Sequence, residues 1–290
     1  MGGVVGIILV FVMVFGGYTL AGGHLGIIMK ALPFEMMMIG GAAIGAFAIG
    51  NNGSVIKHTL GDIKKVFAGP KWKPDDMRDA LCLLFELLRI AKSNPVEIEE
   101  HIEDPQGSAI FSRYPKIQAD KATVDMICDT LRAASMNYDD PNQVEEVLDK
   151  QLEAKLHHAM GPANALQTMA DGLPALGIVA AVLGVIKTMA SIDKPPEVLG
   201  KMIGGALVGT FLGVFLAYGF VGPFATKLKA VVEEEHHFYK MVREVLVAYL
   251  HRHSPDICVE VGRQNAPLDE RPSFSELEEA LSNTRNAAAA

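Results

Sequence analysis

Between Lys201 and Lys227 the sequence lacks any charged residue. The 25 positions Met202–Thr226 form an uncharged run, longer than the ~20 residues needed to cross a hydrocarbon core. Other scarcities exclude whole classes of function. Among 290 residues there are three cysteines, Cys82, Cys128 and Cys258, far apart and with no CxxC pair, so a zinc or redox motif has no support. One tryptophan, no basic stripe interleaved with aromatics and a net charge of −8 argue against a nucleic-acid binder. No GxGxxG after a strand pattern, no GxxxxGK[ST], no HExxH and no GxSxG occurs, so no enzyme is expected. The doublets His157-His158 and His236-His237, the pair His251/His253, and Glu233 one turn from His237 suit charged surface helices. No metal or cofactor is expected from them.

What is present is apolar. Half of the residues are hydrophobic and 21% are charged, a balance that suits a membrane protein with sizeable water-exposed parts. Four spans are expected, at about 2–21, 34–50, 172–191 and 200–225. The first has no charged region ahead of it and no convincing cleavage site after it, and reads as a retained span. Pro33 suits the first turn of the second, with Glu35 at its edge. In the fourth, Gly205, Gly209, Gly213 and Ala217 recur every four residues, a ladder that lets another helix approach closely in lipid. If ions move along that face, another chain must lend the titratable group, because spans three and four hold no acid at mid-membrane. Thr210 shares a helical face with Ala206, Gly213 and Ala217. Pro174 and Pro223 stand at helix ends or at bends where spans leave the membrane.

Basic residues set the orientation. Lys57, Lys64, Lys65, Lys71, Lys73 and Arg78 follow the second span and Lys227 and Lys229 the fourth, which puts the long segments and both termini in the cytoplasm. The expected fold is an all-α integral membrane protein with four transmembrane helices. A helical cytoplasmic domain lies between spans 2 and 3, and a cytoplasmic helical tail ends the chain. Its divisions are 1–50, 51–170, 171–226 and 227–290. Helical periodicity marks Met77–Ala91 and Ile117–Met136, and Asp140-Pro141-Asn142 opens another helix. Glu86, Arg89, Lys92, Glu97, Glu99, Glu100, Glu103 and Asp104 form a charged cluster that suits docking or plain solvation. The fourth span should continue as an amphipathic helix to about His251, with a short acidic helix near Glu276–Leu281. The terminal alanines read as frayed or as a remnant.

Several phrases, in this order and spacing, resemble the MotA family of bacterial flagellar stator subunits across nearly the whole chain. They are Phe15-Gly16-Gly17-Tyr18, the run Gly45–Gly53, the run Leu173–Val185, Val208–Gly213 with Leu216–Phe220, and Glu270-Arg271-Pro272-Ser273-Phe274 with Glu276–Glu279. The resemblance implies a multi-pass protein of the bacterial inner membrane, five copies of which ring a dimer of a single-span, MotB-like subunit. That partner carries the ion-binding aspartate, and the assembly presses on the rotor protein FliG. Pro174 and Pro223 match the prolines that couple ion flow to movement, and Thr210 and Tyr218 match positions lining the partner's aspartate. Ala181 stands where sodium-driven relatives carry threonine, which favours protons. Glu99 matches the acidic rotor contact. Glu86 occupies the ungapped basic position, and a one-residue shortening points to Arg89 as the compensating base. Gly205, Gly209, Gly213 and Ala217 are expected to pack against the partner's helix. The competing function is an ExbB- or TolQ-type energiser of outer-membrane processes. Those relatives lack the first two spans and the tail phrase, both present here.

Overall fold

In the computed structural model, residues 2–136 and 140–287 are described. Asp139, just before the expected helix start at Asp140, and the alanines from position 288 lie outside them. Every regular element among the described residues is helical. The chain runs α1 Gly2–Leu20, α2 Leu25–Gly50, α3 Gly53–Ala68, α4 Pro74–Ser93, α5 Pro95–Glu103, α6 Pro115–Gln118 and α7 Lys121–Ser135. There follow α8 Pro141–Met189, α9 Pro196–Leu250, α10 Pro255–Asn265 and α11 Phe274–Ala287.

Four of these, α1, α2, α8 and α9, are long and apolar enough to cross a membrane, in agreement with the four expected spans. Their lengths differ from expectation in an instructive way. The second begins at Leu25, nine residues before position 34, and Pro33 sits inside it. A spanning helix accepts an internal proline because neighbouring helices and local adjustments satisfy the freed backbone. Consequently Glu35 lies in the third turn, not at an edge. The third is part of a helix of 49 residues, while the fourth continues as expected, within a helix of 55 residues that ends at Leu250.

The chain forms two compact units, Met1–Gly69 with Ala159–Val231, and Pro70–His158 with Val232–Ala290. In the first unit, Ile39, Ala43, Leu173, Ala180, Leu212 and Ala217 make a small apolar core. Phe11 and Phe15 of α1 meet Phe215 of α9 edge-on, with ring centroids 5.7 and 5.4 Å apart. Such aromatic pairs add about 0.5–1.5 kcal/mol beyond area burial, and here they tie to α9 a helix whose spanning stretch has no buried residue. Val66 of α3 is buried, and Phe67 meets Phe224 at 5.7 Å.

The second unit has the larger core. Leu81 to Leu88 of α4 is buried at all eight positions, so this helix is enclosed and not amphipathic at its centre. Trp72 stacks on Phe238 at 3.7 Å. The tail phrase is structural. Ser273 Oγ accepts from Glu276 N at 3.2 Å, while Ser273 N donates to the Glu276 carboxylate at 2.7 Å, a capping box that starts α11. Arg271 holds the preceding loop by donating to Ala266 O. Burial pushes the Cys82 thiol up to about 11, Cys258 to about 11 and Cys128 to about 12, so all three are inert free thiols.

Candidate functional site

Small residues bring α8 and α9 together within the first unit. A Cβ on Gly177 would come within 2.8 Å of Gly209 O and 3.1 Å of Gly213 Cα. One on Gly213 would come within 2.7 Å of Leu173 O. All three distances are below ordinary carbon contact, so only glycine permits this approach. Of the expected ladder, Gly209, Gly213 and Ala217 are therefore buried against the chain's own α2 and α8. Gly205 has open space where a Cβ would stand. The sequence reading gave this row to a partner helix because spacing shows that a face is small but not which helix fills it.

Ala181 and Thr210 are half-buried beside this seam. Tyr218 is 72% exposed and shares a cavity of about 600 Å³ with Gln167, Pro223 and Lys227. Just ahead of Pro223, residues Ala217–Val221 form a π turn in which Gly222 N donates to Ala217 O. A proline cannot donate and crowds the carbonyl four residues earlier, and the wider turn relieves both demands. Pro174 lies inside α8.

One residue on this seam was not singled out for function from the sequence. Glu35 is 5% exposed, and its Oε2 has no hydrogen-bond partner among the described residues. A Cβ on Gly209 would lie 2.7 Å from that oxygen, 3.2 Å from Ala180 Cβ and 3.2 Å from Ala181 N. The missing side chain at 209 makes room for the carboxyl. A π turn, Met36–Gly40, follows Glu35 directly. The signal in the sequence was an acid ten residues into a helix of 26 whose one other charged residue is Lys30.

In the second unit the charged cluster divides. Glu86 is 2% exposed and paired with Arg113, with Tyr114 Oη donating to it at 3.3 Å. Burial pushes its carboxyl up, against the pull of Arg113. It belongs to the core and not to a docking face, a correction that periodicity alone could not make because an ion pair hides the charge inside. Glu99 is exposed on α5, and Arg89 is half-buried at the end of α4. Arg89 and Lys92 line a groove with Asp256 and Arg285. Glu103 is bonded to Arg132 at 2.8 Å.

With this geometry in hand, likeness to known proteins is informative. Residues 4–95 match the family described as Motility protein A N-terminal, and residues 118–241 match the MotA/TolQ/ExbB proton channel family. Motility protein A of Salmonella typhimurium is 42% identical over 282 residues, 97% of this chain and 95% of the relative. That of Escherichia coli is 41% identical over 284 residues, 97% and 95% of the two chains. Chemotaxis protein LafT of Vibrio parahaemolyticus is 35% identical over 277 residues, 95% and 96% of the two chains. Among solved structures, that of C. jejuni MotAB aligns with a TM-score of 0.73 at 20% identity, covering 93% of this chain and 98% of the other. The flagellar MotAB stator complex from Bacillus subtilis gives 0.72 at 21%, covering 95% and 100%. At those identities the structures speak for the fold.

Proposed function

The chain belongs to the motility protein A family, within the MotA/TolQ/ExbB proton channel proteins, and on that premise we propose how it works as a stator subunit of the flagellar motor. The observation that carries the reading is likeness to Motility protein A over 97% of the chain. It extends over the first two spans, in residues 4–95, which favours the motor over an ExbB- or TolQ-type energiser.

The complex consists of several copies of this chain, five by family resemblance, around a dimer of a MotB-like single-span subunit that brings an ion-binding aspartate. The name MotAB attached to both structural neighbours supports such a partner. The chain crosses the inner membrane four times with both termini and the second unit in the cytoplasm, a reading supported by the lysines after the second and fourth spans. Lipid covers the apolar face of α1.

Protonation of the partner's aspartate drives the motion. A charged group at the middle of a helix bundle costs at least a few kcal/mol, and each ion gains about 2.3 kcal/mol per 100 mV as it crosses. Those magnitudes match, so loading and unloading one carboxylate suffices to repack helices around it. Thr210 and Tyr218 line the path, and Pro174 and Pro223 bend where α8 and α9 carry the motion away. Ala181 lacks the hydroxyl that would replace part of a sodium ion's hydration shell, which supports protons as the transported ion. Movement reaches FliG through Glu99 and Arg89. Exposure of Glu99 and burial of Glu86 both support that choice of residues.

A deletion strain tests the function. Cells lacking this chain, and lacking any second stator system, should build flagella yet not swim, with speed in the parent following the proton gradient. Normal swimming of the deletion strain would reject the motor reading.

A further inference from the structure

We infer that Glu35 is a proton-binding group of the conduction path, contributed by this chain itself and loaded from a cavity between α2, α8 and α9. The inference rests on the reading above that ions cross along α8 and α9.

Depth comes first. Glu35 lies about 15 Å along α2 from Leu25 at 1.5 Å per residue, about half of a ~30 Å hydrocarbon core. An ionisable group at such depth is costly, and those that occur there pair with one another or serve ion movement. The Oε2 atom has no partner among the described residues, which leaves the second explanation.

Access comes next. Glu35 lines a cavity of about 730 Å³ together with His24, Lys30, Lys187, Thr188 and Lys201. That is many times the ~30 Å³ share of one water in the liquid. The titratable groups facing Glu35 therefore come from the start of α2, the end of α8 and the start of α9, and none of them is acidic. Thr188 Oγ1 donates back to Gly184 O at 2.9 Å. A metal cation would need several oxygen ligands and would meet the ammonium groups of Lys30, Lys187 and Lys201, the last of them paired with Glu197 at 2.7 Å. A proton needs one carboxylate, and among the described residues Glu35 supplies the one that lines this cavity.

Position completes the argument. The carboxyl oxygen abuts Gly209, which also faces Ala180 and the backbone of Ala181 and precedes the half-buried Thr210. It thus stands between a basic-rimmed cavity and the α8–α9 seam. In each cycle the carboxylate takes one proton from hydronium in the cavity, becomes a neutral carboxyl, and regains its charge when that proton passes inward. No bond other than O–H forms or breaks.

The test uses the full complex in cells. Glu35→Gln keeps the shape and removes the titration. It should lower rotation speed at least about tenfold at parent-level assembly, with Glu35→Asp intermediate and shifted in its dependence on external pH. In parent membranes, dicyclohexylcarbodiimide, which traps protonated carboxyls in apolar surroundings, should modify Glu35 at acid pH and progressively less as pH rises. Mass spectrometry reads the adduct without any variant, so poor assembly of Glu35→Gln would not leave the matter open. Parent-like rotation of Glu35→Gln at every pH, or an unmodified Glu35 at acid pH, would overturn the inference. Failure of the underlying reading would look different, as parent rotation that ignores the proton gradient.

Discussion

Asp120 shows how much a single side chain can hold. It caps α7 by accepting from Thr123 N at 3.0 Å, and it also accepts from Thr123 Oγ1 at 2.6 Å, Lys71 Nζ at 2.7 Å and Tyr239 Oη at 3.2 Å. Burial works to raise its carboxyl, but the bonds from Lys71 and Thr123 outweigh it and the carboxyl titrates below its usual range. A depressed folded value stabilises the fold above the ordinary Asp range, and that contribution is lost as pH falls through the folded value. We expect Asp120→Ala to destabilise the second unit by about 2 kcal/mol at neutral pH. The deficit should shrink in acid, which unfolding monitored by circular dichroism would read. At Thr210 the expected effect is functional. Thr210→Ala should slow rotation and lower proton flux while leaving assembly intact, since one hydroxyl and one methyl are lost at a half-buried site. Flux and speed equal to the parent's would remove Thr210 from the path.

Among the helices, the contact between α8 and α9 tolerates the least change. Gly177→Ala puts a methyl within 2.8 Å of a backbone oxygen, and no rotamer can move a backbone aside. Overpacking of this kind costs about 1–3 kcal/mol. The purified complex should melt at a lower temperature, and a crosslink between α8 and α9 near this position should form more slowly. Four spans were legible in the sequence because a membrane demands length and charge depletion, and both can be counted. Their full extents were less so. Helix α8 runs unbroken from Pro141 into its apolar stretch, and at the second span Pro33 looked like a boundary although a spanning helix accepts an internal proline. That misplacement hid Glu35. The start of α8 at Pro141, the end of α9 at Leu250 and the helix near Glu276 stood close to expectation, since prolines and a capping box mark them locally.

For the molecule as a whole, the proposed function turns on contact with the rotor. Glu99→Lys should reduce swimming several-fold, and a reversed charge on the rotor protein should partly restore it. Attraction between exposed charges steers encounter and register more than it adds affinity, and raised ionic strength would mimic the defect. Failure of every opposing rotor change would count against electrostatic docking at Glu99. Candidate site residues came from the family resemblance, as with Tyr218 and Pro223, which line one cavity. They were unreadable where tertiary packing decides. Glu86 vanished into a core beside Arg113, and the glycine ladder turned toward the chain's own third span.

The sequestered sulfurs of Cys82, Cys128 and Cys258 make this molecule its own reporter background. With thiols held near 11 to 12 and shut away, maleimides applied to intact cells should ignore the parent protein. A lone cysteine introduced at Glu99 or Tyr218 would then be the sole reactive handle. Its labelling from one side of the membrane or the other would map which surfaces the running motor keeps wet.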